Sequence, residues 1–304
     1  MANETQPTLP CIRPQLEDLI SLRLDAAKLT LKKTRRASSL LAGQHRSRFK
    51  GRGMDFNEVR TYQPGDDIRH IDWRVTARTQ VPHTKLYTEE RERPVYFIVD
   101  LGPSMQFGTR KQFKSVLAAR AASLLAWSSV AHGDRVGGYI ISGKQKLEVK
   151  AGGGSKGATA LIGAMSGNHR GSPHSEQDLS RYLSRVRPGS LIFYLSDFTT
   201  LQNRTCPWIG LAQHSDFVLL QIVDTLEAEP PPPGRYPITD GKETIVFKQT
   251  RALQAQMKQE FSVRCALISD WSSKYAFTYL RLNTEDDLVY SLRSGLTTQT
   301  RLFS

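Results

Sequence analysis

The chain has 304 residues, of which 39% are hydrophobic and 23% charged, and a formal net charge of +13. That balance reads as a soluble globular protein of one large domain with a smaller attachment, long enough to bury a substantial core. It excludes a membrane span, for no apolar run approaches the roughly 20 residues required.

The opening MANETQPTLP lacks a basic region followed by an apolar core, so no secretory signal is expected. Cys11, Cys206 and Cys265 are scattered and without metal spacing, which fits a reducing cytoplasm. Residues 1–13 are expected to be disordered. Pro14 suits a first helical turn. Leu16, Leu19, Ile20, Leu22, Leu24, Leu29 and Leu31 then form a helical stripe reaching towards Leu41. Much of the positive charge sits here, on Lys28, Lys32, Lys33, Arg35, Arg36, Arg46, Arg48, Lys50 and Arg52. Such an arm reads either as a solvated face or dock for an acidic protein, or as a phosphate-neutralising surface for nucleic acid or anionic lipid. Phe49 is the one aromatic residue between Lys28 and Arg52, so no base-stacking platform accompanies the arm.

The next segment, GRGMDFNEVRTYQPGDDIRHIDWRVTAR and onward to residue 93, is dense in polar and aromatic residues that an ordinary loop does not need. Pro64-Gly65-Asp66 has turn chemistry, and alternation around Lys85, Tyr87 and Glu89 predicts short strands packed on the neighbouring domain. From Pro94 the pattern alternates strand and helix. Val95–Val99 is a continuous apolar strand, as one buried on both faces should be. Lys111–Ala131 is a long helix, and Val116–Ala131, its most apolar part, is interrupted by Arg120 and reads as buried. Arg135–Ser142 and Lys146–Lys150 are paired strands. A glycine-rich stretch leads into a helix with Leu161 and Met165, then a polar loop and a helix over Asp178–Arg187. Ser190–Leu195 and Phe217–Val223 are further buried strands, ending at Ser196-Asp197 and Asp224. The run EPPPPG must lie on the surface. Asp240-Gly241 marks a hairpin, a long helix covers Arg251–Ser273, and Phe277–Leu282 is the last strand. Residues 284–287 cap a terminal helix expected to stop at Gly295. Repeated strand–helix units predict an α/β fold, a doubly wound, mostly parallel sheet with helices on both faces and an N-terminal helical and β extension.

Several constellations carry candidate chemistry. Asp100, Gly102 and Ser104 follow a buried strand, where closely spaced oxygens suit a hard divalent cation at a sheet's carboxyl edge. Thr159 and Asp197 also lie just past predicted strands or at a helix start. The bland alternative is that Asp100 and Asp197 cap helices and accept turn amides. GGGSKGAT does not match a phosphate loop, which needs Gly-Lys followed by Ser or Thr. Asp66, Asp67, Arg69, His70, Asp72, Trp73 and Arg78 form either a catalytic or metal cluster, or a salt-bridge network locking the segment to the sheet, with Tyr62 and Trp73 as packing. Arg and Trp also favour interaction hot spots. Ser104 and Ser155 lack the G-x-S-x-G context of a hydrolase nucleophile, and His132 reads as a helix cap.

The ordered motifs GRGMDF, YQPGDDIRHIDW, TAR, EERERPVYFIVD and FGTR resemble the bacterial domain-of-unknown-function-58 family, which carries a von Willebrand factor A-type domain. The resemblance covers about Arg46 to Leu296. Together with the residue reading, it gives a tail over 1–13, an N-terminal helix and signature segment over 14–93, and a von Willebrand A-like domain over 94–304. It also implies a metal-ion-dependent adhesion site in which Asp100, Ser104, Thr159 and Asp197 hold Mg²⁺, with Gly102 in place of the motif's middle serine. The bound cation would complete its shell with a carboxylate of a partner. The expected function is therefore a non-enzymatic cytoplasmic adaptor working with a MoxR-type AAA+ ATPase and client proteins in complex assembly or maturation. A nucleic-acid-binding protein using the basic arm is the alternative.

Overall fold

The computed structural model describes residues 11–29, 54–64, 66–89, 93–142, 145–167, 177–200, 208–212, 214–239 and 244–300. Of the expected tail over 1–13, residues 1–10 lie outside the described residues, as does the basic arm beyond Lys28. Cys11 is ordered against the larger unit, its carbonyl accepting the Phe113 N–H at 2.8 Å. The chain forms two compact units, Leu41–Glu92 on its own, and Arg93–Ser304 together with the stretch up to Leu40.

The leading stripe forms two short helices, α1 (Leu16–Ser21) and α2 (Arg23–Ala26), where one continuous helix was expected. The break at Leu22 turns both Leu19 and Ala26 into the core of the larger unit.

In the smaller unit, β1 (Met54–Thr61) leads to a 3-10 turn at Ile68–His70 and to α3 (Trp73–Thr79). Gln80, in the left-handed region at φ 60°, closes α3 before β2 (His83–Glu89) returns antiparallel to β1.

The larger unit is built on a six-stranded sheet. β3 (Pro94–Asp100) leads to α4 (Lys114–Ala131), then β4 (Arg135–Ser142), β5 (Gln145–Gly152) and α5 (Gly154–Met165). α6 (Gln177–Ser184), β6 (Leu191–Ser196), α7 (Ile209–Ala212), β7 (Asp216–Val223) and α8 (Thr225–Ala228) follow. β8 (Gly234–Thr239) and β9 (Thr244–Gln249) form a separate hairpin, and α9 (Arg251–Tyr275), β10 (Thr278–Asn283) and α10 (Leu288–Thr300) complete the chain. The strand order is β10-β7-β6-β3-β4-β5, parallel throughout except for the antiparallel edge strand β5.

Alternate residues of the central strands face two different cores. Phe97, Val99, Phe193 and Leu195 pack with α4, α5 and the leading helices. Ile98, Ile192, Tyr194 and Leu219 pack with α6 and α9 through Tyr182, Ile268 and Trp271. Apolar residues on both faces of one strand require cover on both sides. The apolar stretch in α4 is a buried helix; its interrupting Arg120 donates to Asp18 of α1 at 2.7 Å and to Gln112 at 2.7 Å. α10 runs past Gly295 to Thr300, so the expected stop there is overturned. A Cβ at Gly295 would lie 2.0 Å from Leu280 Cδ1: the glycine lets α10 press against β10 and does not end the helix.

Candidate functional site

The chain leaves β3 towards β4 on one side and later returns to β6 on the other, so the sheet reverses direction between β3 and β6. The crevice above the carboxyl ends of such a pair is where open α/β sheets place their sites. Asp100 ends β3, and Ser196 and Asp197 end β6.

Asp100 is nearly enclosed. Its Oδ1 accepts the Gly102 N–H at 2.8 Å and its Oδ2 accepts the Ser196 hydroxyl at 2.8 Å. Ser196 Oγ in turn accepts the Phe198 N–H at 3.0 Å. Burial pushes the Asp100 carboxyl above its ordinary range, with the nearby Asp197 charge adding to the effect and the Gly102 and Ser196 hydrogen bonds and Lys114 opposing it. A Cβ on residue 102 would stand 2.9 Å from Asp100 Oδ1. Glycine at this position therefore lets the aspartate fold back onto the amide; it does more than omit a ligand.

Asp197 is 2% exposed as a residue. Its Oδ1 accepts the N–H and hydroxyl of Thr199 at 3.0 and 2.8 Å. Its Oδ2 accepts from Lys114 Nζ at 2.8 Å, and the same ammonium donates to Glu227 Oε1 at 2.6 Å. Burial alone would raise the Asp197 carboxyl, yet Lys114 and the Thr199 bonds hold it below the usual carboxylate range. Glu227 also closes a capping box, its Oε2 accepting the Asp224 N–H at 3.2 Å. Asp224 is saturated, taking Thr109 N–H and hydroxyl, Thr284 hydroxyl and Leu226 N–H at 2.8–3.0 Å.

The structure thus brings Asp100 and Asp197 together and leaves Ser104 half-buried in the 3-10 turn just beyond Gly102. Thr159 does not join them. β5 runs backwards, so Gly152 pairs with Val136 at the amino end of β4. The strands climb ~17 Å from Val136 to Ile141, the level of Asp100. α5 has risen only ~8 Å at Thr159, an exposed residue whose hydroxyl donates to Ser155 O of its own helix at 2.8 Å. The donor set does not fit Mg²⁺. Thr159 is missing from it, and an ammonium holds the Asp197 oxygen that Thr199 does not take.

In the signature segment Asp66, Asp67 and Asp72 each have a local task. Asp66 pairs with Arg60 at 2.7 Å and accepts the Gln63 N–H at 2.9 Å. Asp67 caps the 3-10 turn by accepting the Arg69 N–H at 3.0 Å. Asp72 caps α3 through the Arg74 and Val75 N–H groups at 3.1 and 3.2 Å and pairs with Lys85 at 3.4 Å. The Val75 hydrogen bond is the largest influence on its carboxyl, which lies below the ordinary range. Each of these bonds runs between residues of the segment itself. Trp73 is not packing: it is 68% exposed at the first position of α3.

Sequence reasoning missed Lys114, Ser196 and Glu227. A signal existed for Lys114, since a cation in the first turn of an otherwise apolar helix opposes the helix dipole and needs carboxylates to offset it.

Fold and site define a mixed α/β protein with a mostly parallel sheet and a cluster of largely buried carboxylates where its strand order reverses. The chain belongs to the family described as "Protein of unknown function DUF58", which matches residues 58–266. It is 28% identical over 261 residues to the uncharacterized proteins Mb1516 of Mycobacterium bovis and Rv1480 of Mycobacterium tuberculosis, spanning 84% of this chain and 78% of each relative. An uncharacterized membrane spanning protein from Vibrio fischeri aligns over 68% of this chain and 98% of its own at 15% identity, with a TM-score of 0.23. At that score no shared fold follows. No helix among the described residues is long and apolar enough to cross a membrane.

Proposed function

We propose that the chain is a non-enzymatic adaptor on a von Willebrand factor A-type sheet, acting in the cytoplasm with a MoxR-type AAA+ ATPase to assemble or mature protein complexes. The observation that carries this reading is the surface of the signature segment. Trp73 and Ala77 lie one turn apart on α3, with Arg74 and Arg78 on the adjoining strip, and all four are exposed. Ile68 and Arg69 are exposed in the preceding turn. Tryptophan and arginine dominate binding hot spots, and this mixture is complementary to an acidic segment with an apolar anchor on the ATPase. Asp100, Asp197, Asp224 and Glu227 are all engaged by amides, hydroxyls or Lys114, a pattern that supports a structural task for them.

The test is a pull-down from native lysate, with and without nuclease, using wild type and Trp73→Ala, with captured proteins identified by mass. Retention of an AAA+ ATPase by wild type after nuclease treatment, and its loss from Trp73→Ala, is the expected result. Absence of an ATPase, with all capture abolished by nuclease, would move the assignment to nucleic acid.

A further inference from the structure

The crevice supports an inference that does not depend on the adaptor reading. We infer that the Lys114 ammonium is the resident cation of this crevice, tethered to the chain at the position where the family resemblance leads one to expect a divalent ion.

Three features converge on it. Lys114 is the first residue of α4 and is 1% exposed, so its charge is removed from water at the end of a helix that disfavours cations. A buried charge requires partners, and two of its three donors reach Asp197 and Glu227 at 2.8 and 2.6 Å. Of the other oxygens a metal would use, the half-buried Ser104 hydroxyl is left on offer and the rest are committed or out of reach. Both oxygens of Asp100 and the second oxygen of Asp197 accept hydrogen bonds, residue 102 has no hydroxyl, and Thr159 stands well below the level of the crevice. Mg²⁺ demands a near-octahedral oxygen shell at ~2.0–2.1 Å. An ion meeting that demand on Asp197 would sit against the ammonium, in a setting where like charges are poorly screened.

The lysine also has a structural consequence. One side chain joins the start of α4, the end of β6 and α8, three connections at the carboxyl edge of the sheet, and it does so whatever the divalent ion concentration. Removing it would leave Asp197 and Glu227 facing a space of ammonium size, with Asp100 nearby: a vacancy that a hard divalent cation can fill.

Purified wild type and Lys114→Ser are titrated with Mn²⁺, read by electron paramagnetic resonance of the free ion, and melted in Mg²⁺ and in EDTA. Wild type is expected to bind no stoichiometric Mn²⁺ and to melt identically in both buffers. Lys114→Ser is expected to bind one equivalent and to melt several degrees higher in Mg²⁺ than in EDTA. A folded Lys114→Ser that binds no ion would overturn the inference. So would one-to-one Mn²⁺ binding by wild type that Asp197→Asn removes, an arm that decides the matter even if Lys114→Ser does not fold.

Discussion

The crevice and the signature segment are both rich in charged residues, and they differ in what neutralises those charges. Around Asp100 and Asp197 every carboxylate is answered within the protein, by amides, hydroxyls and a lysine that solvent does not reach. In the signature segment Asp66, Asp67 and Asp72 accept amides of their own turns, while Trp73, Arg74 and Arg78 face solvent. Charge that is compensated inside the fold reports on how the fold is held. An exposed aromatic residue between cations reports on what the protein meets. The contrast reverses the emphasis of the motif resemblance, which draws attention first to the sheet edge.

The comparison breaks most visibly at Lys114. Lys114→Ala strands two carboxylates beside Asp100 and should cost about 3–5 kcal/mol, measured by urea unfolding in EDTA. A loss below ~1 kcal/mol would mean that the crevice is not held together by this charge. Gly102→Ser places a Cβ against Asp100 Oδ1 and should cost about 1–3 kcal/mol in the same assay; a neutral result would show that the aspartate turns aside freely.

Proton linkage separates the two crevice aspartates. Asp197 titrates lower in the fold than its ordinary 3.8, so its contribution is present above that value and is lost as pH falls through the folded pKa. Asp100 titrates higher than its ordinary 3.8, so its contribution is present below that value and is lost as pH rises through the folded pKa. Asp197→Asn should therefore be destabilising at neutral pH, with the gap to wild type narrowing in acid. Asp100→Asn should compare better with wild type at neutral pH than in acid. Parallel pH profiles for the two variants would contradict the assigned environments. The smallest effect on stability belongs to the signature surface: Trp73→Ala should unfold within ~0.5 kcal/mol of wild type, because an exposed side chain loses little. A larger loss would show that the ring supports the fold.

Much of the sheet was legible in the sequence because β3, β6 and β7 are largely apolar runs that end at or just before an Asp or Ser. The Asp240-Gly241 turn marked the β8–β9 hairpin, whereas α8 and its Asp224–Glu227 capping box were not read. The pairing of Asp100 with Asp197 followed from strand ends at a reversing sheet. Thr159 did not follow: the short turn after Ser142 already makes β5 an antiparallel partner of β4, but that α5 therefore starts at the amino side shows only once the sheet is assembled. Gly295 read as a helix stop because its role depends on Leu280, which lies on another element. Lys114 was passed over because a helix-start lysine is ordinarily solvated, and only tertiary packing closes it in. Trp73 misled in the other direction: its residue type favours burial, while its place at the start of α3 turns it outward.

The central claim is that a partner docks on the Trp73 surface and not on the crevice. The most direct test compares the affinity of the captured ATPase for wild type, Trp73→Ala and Asp100→Ala, each first shown to be folded by circular dichroism. The account predicts a loss of tenfold or more for Trp73→Ala, about 1.4 kcal/mol, and no change for Asp100→Ala. Unchanged binding by Trp73→Ala with binding abolished in Asp100→Ala would contradict it and return the docking site to the sheet edge.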